Sequence, residues 1–431
     1  MTTGRVARLR REVSVPMYRN AYALMLNTIV NSGLGLLYWI VAARSSTPDD
    51  VGRGNALISL MLLVSILTQA DFGQALIRFL PRAGAGTRRL VLMSYGVAVG
   101  LALLGATVAM AWCHLLLDAS DPLHVSLPFA CWFVVSTVAW SVFSLQDSAL
   151  TGLRASVWIP LENAVYGVVK LGLLVVVART SLSDGVFTSW TLPVLALLVP
   201  VNLLLFRRLV PRHAASTVDP YVPTRSVLTR YLAGGYVGHL AGQMSSTFLP
   251  VLVVQLLGST QGGFFLPAQT AFAAMTLLSS AIVSSLVVEA AKDEEQAPRY
   301  AAAMLRRIAV TVWPAAVVVA VGAPWLLMLF GAEYRENATF LLQLLMLTVF
   351  PKVVTSLFNT RSRLQNRTGR IAVLQSLQAV VLVGGTALLA GPVGLTAVGW
   401  SALVAEGLPA LLLGPSVVRW LRSGRASAGS P

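Results

Sequence analysis

Long apolar runs separated by short polar turns cover nearly all of the 431-residue chain. Crossing a hydrocarbon core roughly 30 Å thick takes about 20 mostly apolar helical residues. Twelve stretches satisfy this: 21–43, 54–77, 90–117, 127–148, 160–178, 188–206, 231–257, 263–290, 309–331, 338–360, 371–390 and 395–418. The expected fold is all-α, a polytopic membrane protein of about twelve transmembrane helices. The longest polar connection, RRLVPRHAASTVDPYVPTRSVLTR (207–230), lies between spans six and seven. It predicts two six-helix bundles, 1–206 and 231–418, joined by that linker and followed by a disordered tail, 419–431. Six is even, so both halves start from the same side and any internal repeat is parallel. An echo supports this: VAARSSTPDDVGRGNALISL after the first span and VVQLLGSTQGGFFLPAQTAF after the seventh both run apolar, then polar turn with glycine, then apolar. KDEEQAPRYAAAMLRR (292–307) reads as a short amphipathic helix at the membrane surface.

Charge orients the chain. Of 32 Lys and Arg, 26 fall in alternate connections and at the two termini, four in the opposite loops (Arg44, Arg53, Arg179, Arg335), and two inside spans. Cytoplasmic loops carry the excess of Lys and Arg, so both termini are expected in the cytoplasm. Only 11% of residues are charged and 56% are hydrophobic, against about 25% charged in soluble proteins. That excludes a soluble protein, and the +15 net charge then reads as contact with anionic lipid headgroups rather than nucleic acid. The first apolar run is too long for a cleaved leader and reads as a retained span. Trp39, Trp112, Trp190, Trp325 and Trp400 fall at expected outer helix ends, and Trp158 and Trp420 at inner ends, as interfacial anchors do. Cys113 and Cys131 form no disulfide framework; one bridge or two apolar thiols remain open.

Polar residues inside spans are expensive and mark bundle interiors or cavities. Four spans carry them as helical stripes: Asn20, Asn27, Asn31 and Tyr38; Asn163, Tyr166 and Lys170; Tyr236, His239, Gln243 and Thr247; Thr348, Lys352, Ser356 and Asn359. Such stripes either hydrogen-bond between packed helices or line a polar cavity; four together favour the cavity. Lys170 and Lys352 are the sharpest signals, because a mid-span lysine costs about 2.5–3.5 kcal/mol. Each either pairs with an acid such as Asp147 or Glu162, or with a backbone carbonyl, or holds an anionic substrate; no acid stands at an obviously matching depth. Among the intramembrane acids, Asp71 shares a helix face with Arg78 seven residues on, and Glu406 lies deep enough in the last span to take up a proton. Both are candidates for coupling. The loop residues His114, Asp118, Asp121 and His124 are of metal-binding types, but their loop is short and solvated, and no metal site is expected. There is no catalytic constellation, GxSxG elbow or P-loop, so neither an enzyme nor a cofactor is expected.

Residues 18–81, YRNAYALMLNTIVNSGLGLLYWIVAARSSTPDDVGRGNALISLMLLVSILTQADFGQALIRFLP, resemble the start of bacterial polysaccharide-biosynthesis flippases. These are the Wzx-type oligosaccharide-lipid exporters of the multidrug/oligosaccharidyl-lipid/polysaccharide exporter (MOP) superfamily. Asn20, the turn AARSSTPDDVG (42–52) and the run ADFGQALIRFLPRAG (70–84) carry the likeness. It implies two bundles facing each other around a cavity, with the first and seventh helices among its walls. It also implies a substrate of oligosaccharide on polyprenyl pyrophosphate, moved from the inner to the outer leaflet of the cytoplasmic membrane by alternating access. Glycosyltransferases or a polymerase of the same pathway become expected partners. Arg44 and Arg78, inside the resembling stretch, become candidate pyrophosphate contacts or plain interface anchors. The alternative is an ion-coupled multidrug exporter of the same superfamily, which calls for acids in the cavity.

Overall fold

The computed structural model describes residues 16–426, apart from 70, 181–183, 218–219, 222, 291–295 and 366. For 16–25, 29, 233–246, 284–290, 368 and 423–426 it describes the backbone but not the side chains. Among the described residues fifteen α-helices follow in chain order: α1 Pro16–Ser45, α2 Pro48–Gln69, α3 Phe72–Phe79, α4 Thr87–Leu115, α5 Leu127–Gly152, α6 Ile159–Val177, α7 Gly185–Leu204, α8 Val210–Ser216, α9 Arg225–Leu257, α10 Ser259–Ala290, α11 Ala297–Val321, α12 Ala323–Met328, α13 Ala332–Leu364, α14 Thr368–Val393 and α15 Thr396–Ala426. Eleven helices among the described residues are long and apolar enough to cross a membrane. Helix α9 stands where the seventh span is expected; Thr247–Leu257 is its described apolar part. The chain is a multi-pass membrane protein.

The departures from expectation have local causes. The second span ends at Gln69, because Asp71 takes a left-handed conformation (φ 63°) and a separate helix, α3, begins at Phe72. Asp71 and Arg78 therefore do not share one continuous helix. Helix α3 repeats its apolar positions Phe72, Ala75, Leu76 and Phe79 at helical spacing and buries them with Leu90, Val91, Tyr95, Leu145 and Leu150. Residues 297–307 are the first turns of the spanning helix α11, not a separate surface helix. Helix α7 runs through a π-helical turn, Leu205–Leu209, into α8, so the front of the expected linker is helical. Helix α15 continues to Ala426, past the expected start of the tail at 419.

The chain divides into two compact units, 1–46 with 54–240, and 47–53 with 241–431. In the first, α1 packs on α6, α4 on α5, α6 on α7, and α5 on α3 and α7. Helix α4 shows why: Ser94, Ala98, Ala102 and Ala106 form a buried stripe of small residues, while Leu103, Leu104 and Val108 are exposed. Lipid tails are as apolar as leucine, so small residues that admit close helix approach decide which face packs. In the second unit α13 and α15 pack together, with α10, α11 and α14 around them.

The two echoing segments meet inside the second unit. Thr47 caps α2 by accepting from the Asp50 N–H at 3.2 Å and donating to its carboxylate at 2.7 Å, with Pro48 at the first helical position. A Cβ on Gly52 would overlap the Ser259 carbonyl oxygen, and one on Gly263 the Pro48 carbonyl oxygen. The starts of α2 and α10 thus touch backbone to backbone, and Thr260 donates to Asp49 at 3.3 Å across the contact.

Candidate functional site: a lysine in an aromatic cage

Helix α6 buries Asn163, Tyr166, Lys170 and Leu174 on one face and exposes Val165, Val168, Val169 and Val176 on the other. The polar stripe therefore points into the first unit, away from lipid. Helix α5 presents Trp140, Phe143, Ser144 and Asp147 at i, i+3, i+4 and i+7, and α1 presents Asn31 and Gly35. Together with Trp190 of α7 these residues line a cavity of about 320 Å³.

Lys170 is 4% exposed. Its Nζ lies 3.6 Å from the centre of the Trp190 ring, 4.8 Å from that of Tyr166 and 5.0 Å from that of Tyr38. Ring faces carry negative electrostatic potential, so the rings hold the ammonium without neutralising it. Among the described residues no carboxylate comes within ion-pair distance of it. Of the alternatives the sequence leaves open for Lys170, an ion pair with Asp147 or Glu162 is not formed. The rings are themselves fixed: the Tyr38 hydroxyl donates to the Val186 carbonyl at 2.8 Å, and that of Tyr166 to the Trp190 carbonyl at 3.1 Å. Trp39 stacks on Trp190 at 5.6 Å. Trp39 and Trp190 are thus packed inside the unit.

Below the cage lies a polar network. Asn163 donates to Asp147 at 3.4 Å, Gln146 to Glu162 at 2.6 Å, and Asn202 to Gln146 at 2.8 Å. One oxygen of each acid, Asp147 Oδ1 and Glu162 Oε2, is buried with no partner among the described residues. Glu162 is 5% exposed.

The second lysine is held differently. Lys352 of α13 donates to Glu406 of α15 at 2.8 Å, and Glu406 also accepts from Thr355 at 3.0 Å and Gln378 at 2.8 Å. Glu406 is the acid at matching depth that the sequence does not reveal, because 54 residues separate the partners. Lys352 is accordingly half of an ion pair rather than an isolated cation.

The remaining candidates scatter. Asn31 lines the lysine cavity, and Asn27, one turn earlier on α1, has a buried Oδ1 with no partner among the described residues. Arg44 is exposed at the end of α1. Asp71 sits in the turn before α3. The side chains of His239 and Gln243 lie outside the described residues. Arg78 lines a separate cavity of about 510 Å³ with Arg82 and Arg230. Cys113 and Cys131 are not joined by a disulfide.

The family model described as "Polysaccharide biosynthesis protein" matches residues 17–213. No curated protein matches the chain. Solved structures share its fold: a multidrug resistance MATE family transporter of the MOP superfamily in an inward-facing conformation has a TM-score of 0.73 at 12% identity, covering 94% of this chain and 99% of that one. A MOP superfamily transporter from Pyrococcus furiosus has a TM-score of 0.60 at 14% identity over 95% of this chain and 96% of its own. A mutant form of the Vibrio cholerae MATE transporter VcmN also scores 0.60 at 14% identity, covering 95% of this chain and 97% of that one.

Proposed function

We propose that this chain, whose first half matches the polysaccharide biosynthesis family and whose fold is that of MOP superfamily transporters, moves an oligosaccharide linked to polyprenyl pyrophosphate across the bacterial cytoplasmic membrane. It works by alternating access, with both termini in the cytoplasm, and carries out no chemistry on its cargo. Glycosyltransferases or a polymerase supply and consume that cargo.

One observation carries this reading: a buried lysine, with no carboxylate partner among the described residues, faces a cavity walled by aromatic rings, amides, hydroxyls and the Asp147 side chain. The cation–ring contact is worth about 0.5–2 kcal/mol, whereas hydrogen bonds to charged groups contribute about 1.5–3 kcal/mol each. A pyrophosphate oxygen entering the cavity therefore competes successfully for the ammonium N–H groups, and the lysine needs no acid to be displaced first. Trp140 and Trp190 offer flat apolar surface to the C–H face of a sugar ring, while Asn31, Asn163 and Asp147 can bond its hydroxyls. Lys352 enters this scheme only by exchanging Glu406 for the substrate phosphate.

A second reading, an ion-coupled multidrug exporter, is favoured by Asp147, whose unpartnered oxygen borders the same cavity. The two separate in proteoliposomes. The flippase reading expects leaflet exchange of a fluorescent polyprenyl-pyrophosphate oligosaccharide, competed by unlabelled lipid-linked glycan and not by cationic drugs. Exchange of cationic drugs driven by a proton or sodium gradient, with no movement of the glycolipid, supports the exporter and contradicts the flippase.

A further inference from the structure

The second cavity is built differently from the first and serves another ligand. It lies beside the 3₁₀ turns that follow α3, Leu80–Arg82 and Gly84–Gly86, where Pro220, Tyr221 and the start of α9 pack together with His213 of α8. Three contacts lock that packing. The Tyr221 N–H donates to the Arg82 carbonyl at 2.6 Å, and His213 Nε2 donates to the Leu80 carbonyl at 2.9 Å. Gly84, at φ +51°, packs so closely that a Cβ there would stand 2.6 Å from Pro220 Cβ. Only glycine adopts this conformation at low cost and leaves room for the proline.

Arg78, Arg82 and Arg230 line the resulting cavity, and among the described residues no carboxylate does. Among the described residues none of the three forms an ion pair. Arg78 lies over the Tyr231 ring at 4.8 Å and Arg82 over the Tyr221 ring at 5.5 Å. Stacking engages the face of a guanidinium and leaves its in-plane N–H fork available for a planar or tetrahedral oxyanion. The rings thus hold two cations in place without consuming their donors. Helix α9 also begins here, with Ser226 and Val227 of its first turn on the cavity wall, and the positive end of its dipole adds to the field.

We propose that this cavity binds a phosphate-bearing anion, tying Tyr221 and the start of α9 to the turns after α3. The positive-inside pattern assigns these helix ends to the cytoplasm, so the phosphate can come from an anionic phospholipid headgroup or from a soluble phosphate compound. The site lies apart from the lysine cavity, and its occupancy does not depend on what the protein transports.

Thermal unfolding of the full chain in detergent tests this, titrated separately with phosphatidylglycerol, phosphatidylcholine and inorganic pyrophosphate. Saturable stabilisation by phosphatidylglycerol but not phosphatidylcholine identifies a headgroup site, and stabilisation by pyrophosphate a soluble-phosphate site. In either case R78Q, R82Q and R230Q should each raise the half-saturating concentration about tenfold, and Y231L should raise it with all charges kept. R363Q, an exposed arginine of the other unit, should change nothing. The three cavity arginines are exposed, so these variants should fold; R230Q alone decides should another misfold. No stabilisation by any probe, equal stabilisation by phosphatidylcholine, or an effect of R363Q equal to that of R230Q overturns the proposal.

Discussion

The Lys170 ammonium stands 3.6 Å from the centre of the Trp190 ring, so an aromatic face occupies the place where a carboxylate would ordinarily neutralise a buried lysine. The amine thus faces the cavity with no acid bound to it among the described residues. The cage should be measurable as stability. W190A should cost about 3–5 kcal/mol, mainly through the cavity it leaves. W190F should lose only a fraction of that, because a smaller ring remains beneath the ammonium. Unfolding free energies in mixed micelles check this; equal losses for both variants would mean that ring contact with Lys170 contributes nothing.

The ion pair in the second unit should behave in the opposite way. Breaking a mostly buried pair strands the remaining charge, at about 3–5 kcal/mol when nothing else satisfies it. Glu406 keeps Thr355 and Gln378 as donors, so K352Q should cost less than E406Q, which among the described residues leaves Lys352 only the distant Phe272 ring at 5.7 Å. The double variant K352Q/E406Q should recover much of the E406Q loss. A double-mutant cycle gives the coupling directly, and a value near zero would show that the pair does not operate in the membrane.

The backbone contact between α2 and α10 predicts a sharp contrast between glycines. G52A forces a methyl group into the Ser259 carbonyl, which cannot rotate away as a side chain would; overpacking of this kind costs about 1–3 kcal/mol or more. G33A sits in a helix with nothing within 4 Å of the new methyl, and should stabilise by about 0.5–1 kcal/mol. Thermal unfolding of the two variants side by side is sufficient; destabilisation by G33A equal to that by G52A would remove the contact as the cause.

The spans are legible because hydropathy at membrane length is imposed by the solvent, and the same logic exposes the Asn163, Tyr166 and Lys170 stripe. What stays hidden is what different spans contribute to one place. Trp190 looks like an interfacial anchor in the sequence, and only the fold brings it onto Lys170, 20 residues earlier. Glu406 meets Lys352 only when α13 and α15 pack. The break at Asp71 escapes a hydropathy reading because apolar residues flank it on both sides and the left-handed turn leaves hydropathy unchanged. The aromatic residues in α1, α5, α6 and α7 are the available signal, and it becomes readable only once their depths are compared.

Orientation follows from charge alone and is open to direct labelling. In a C113A/C131A background, S216C should react with an impermeant thiol reagent only after permeabilisation, and S120C in intact cells. Labelling of S216C from outside intact cells would reverse the topology, and with it the side from which the cargo is collected.

Transport by Lys170 variants decides whether the caged amine holds the substrate. Removing an unpaired buried charge relieves its desolvation, so K170Q should fold with wild-type yield or better while leaflet exchange of the polyprenyl-pyrophosphate oligosaccharide falls to background. K170R should retain partial exchange, since charge survives while geometry changes. Exchange and folded yield must be read on the same preparations. Wild-type exchange by folded K170Q, or a loss of folded protein that D147N or E162Q restores, would contradict the account: the lysine would then be an architectural charge and the cage no part of a substrate site.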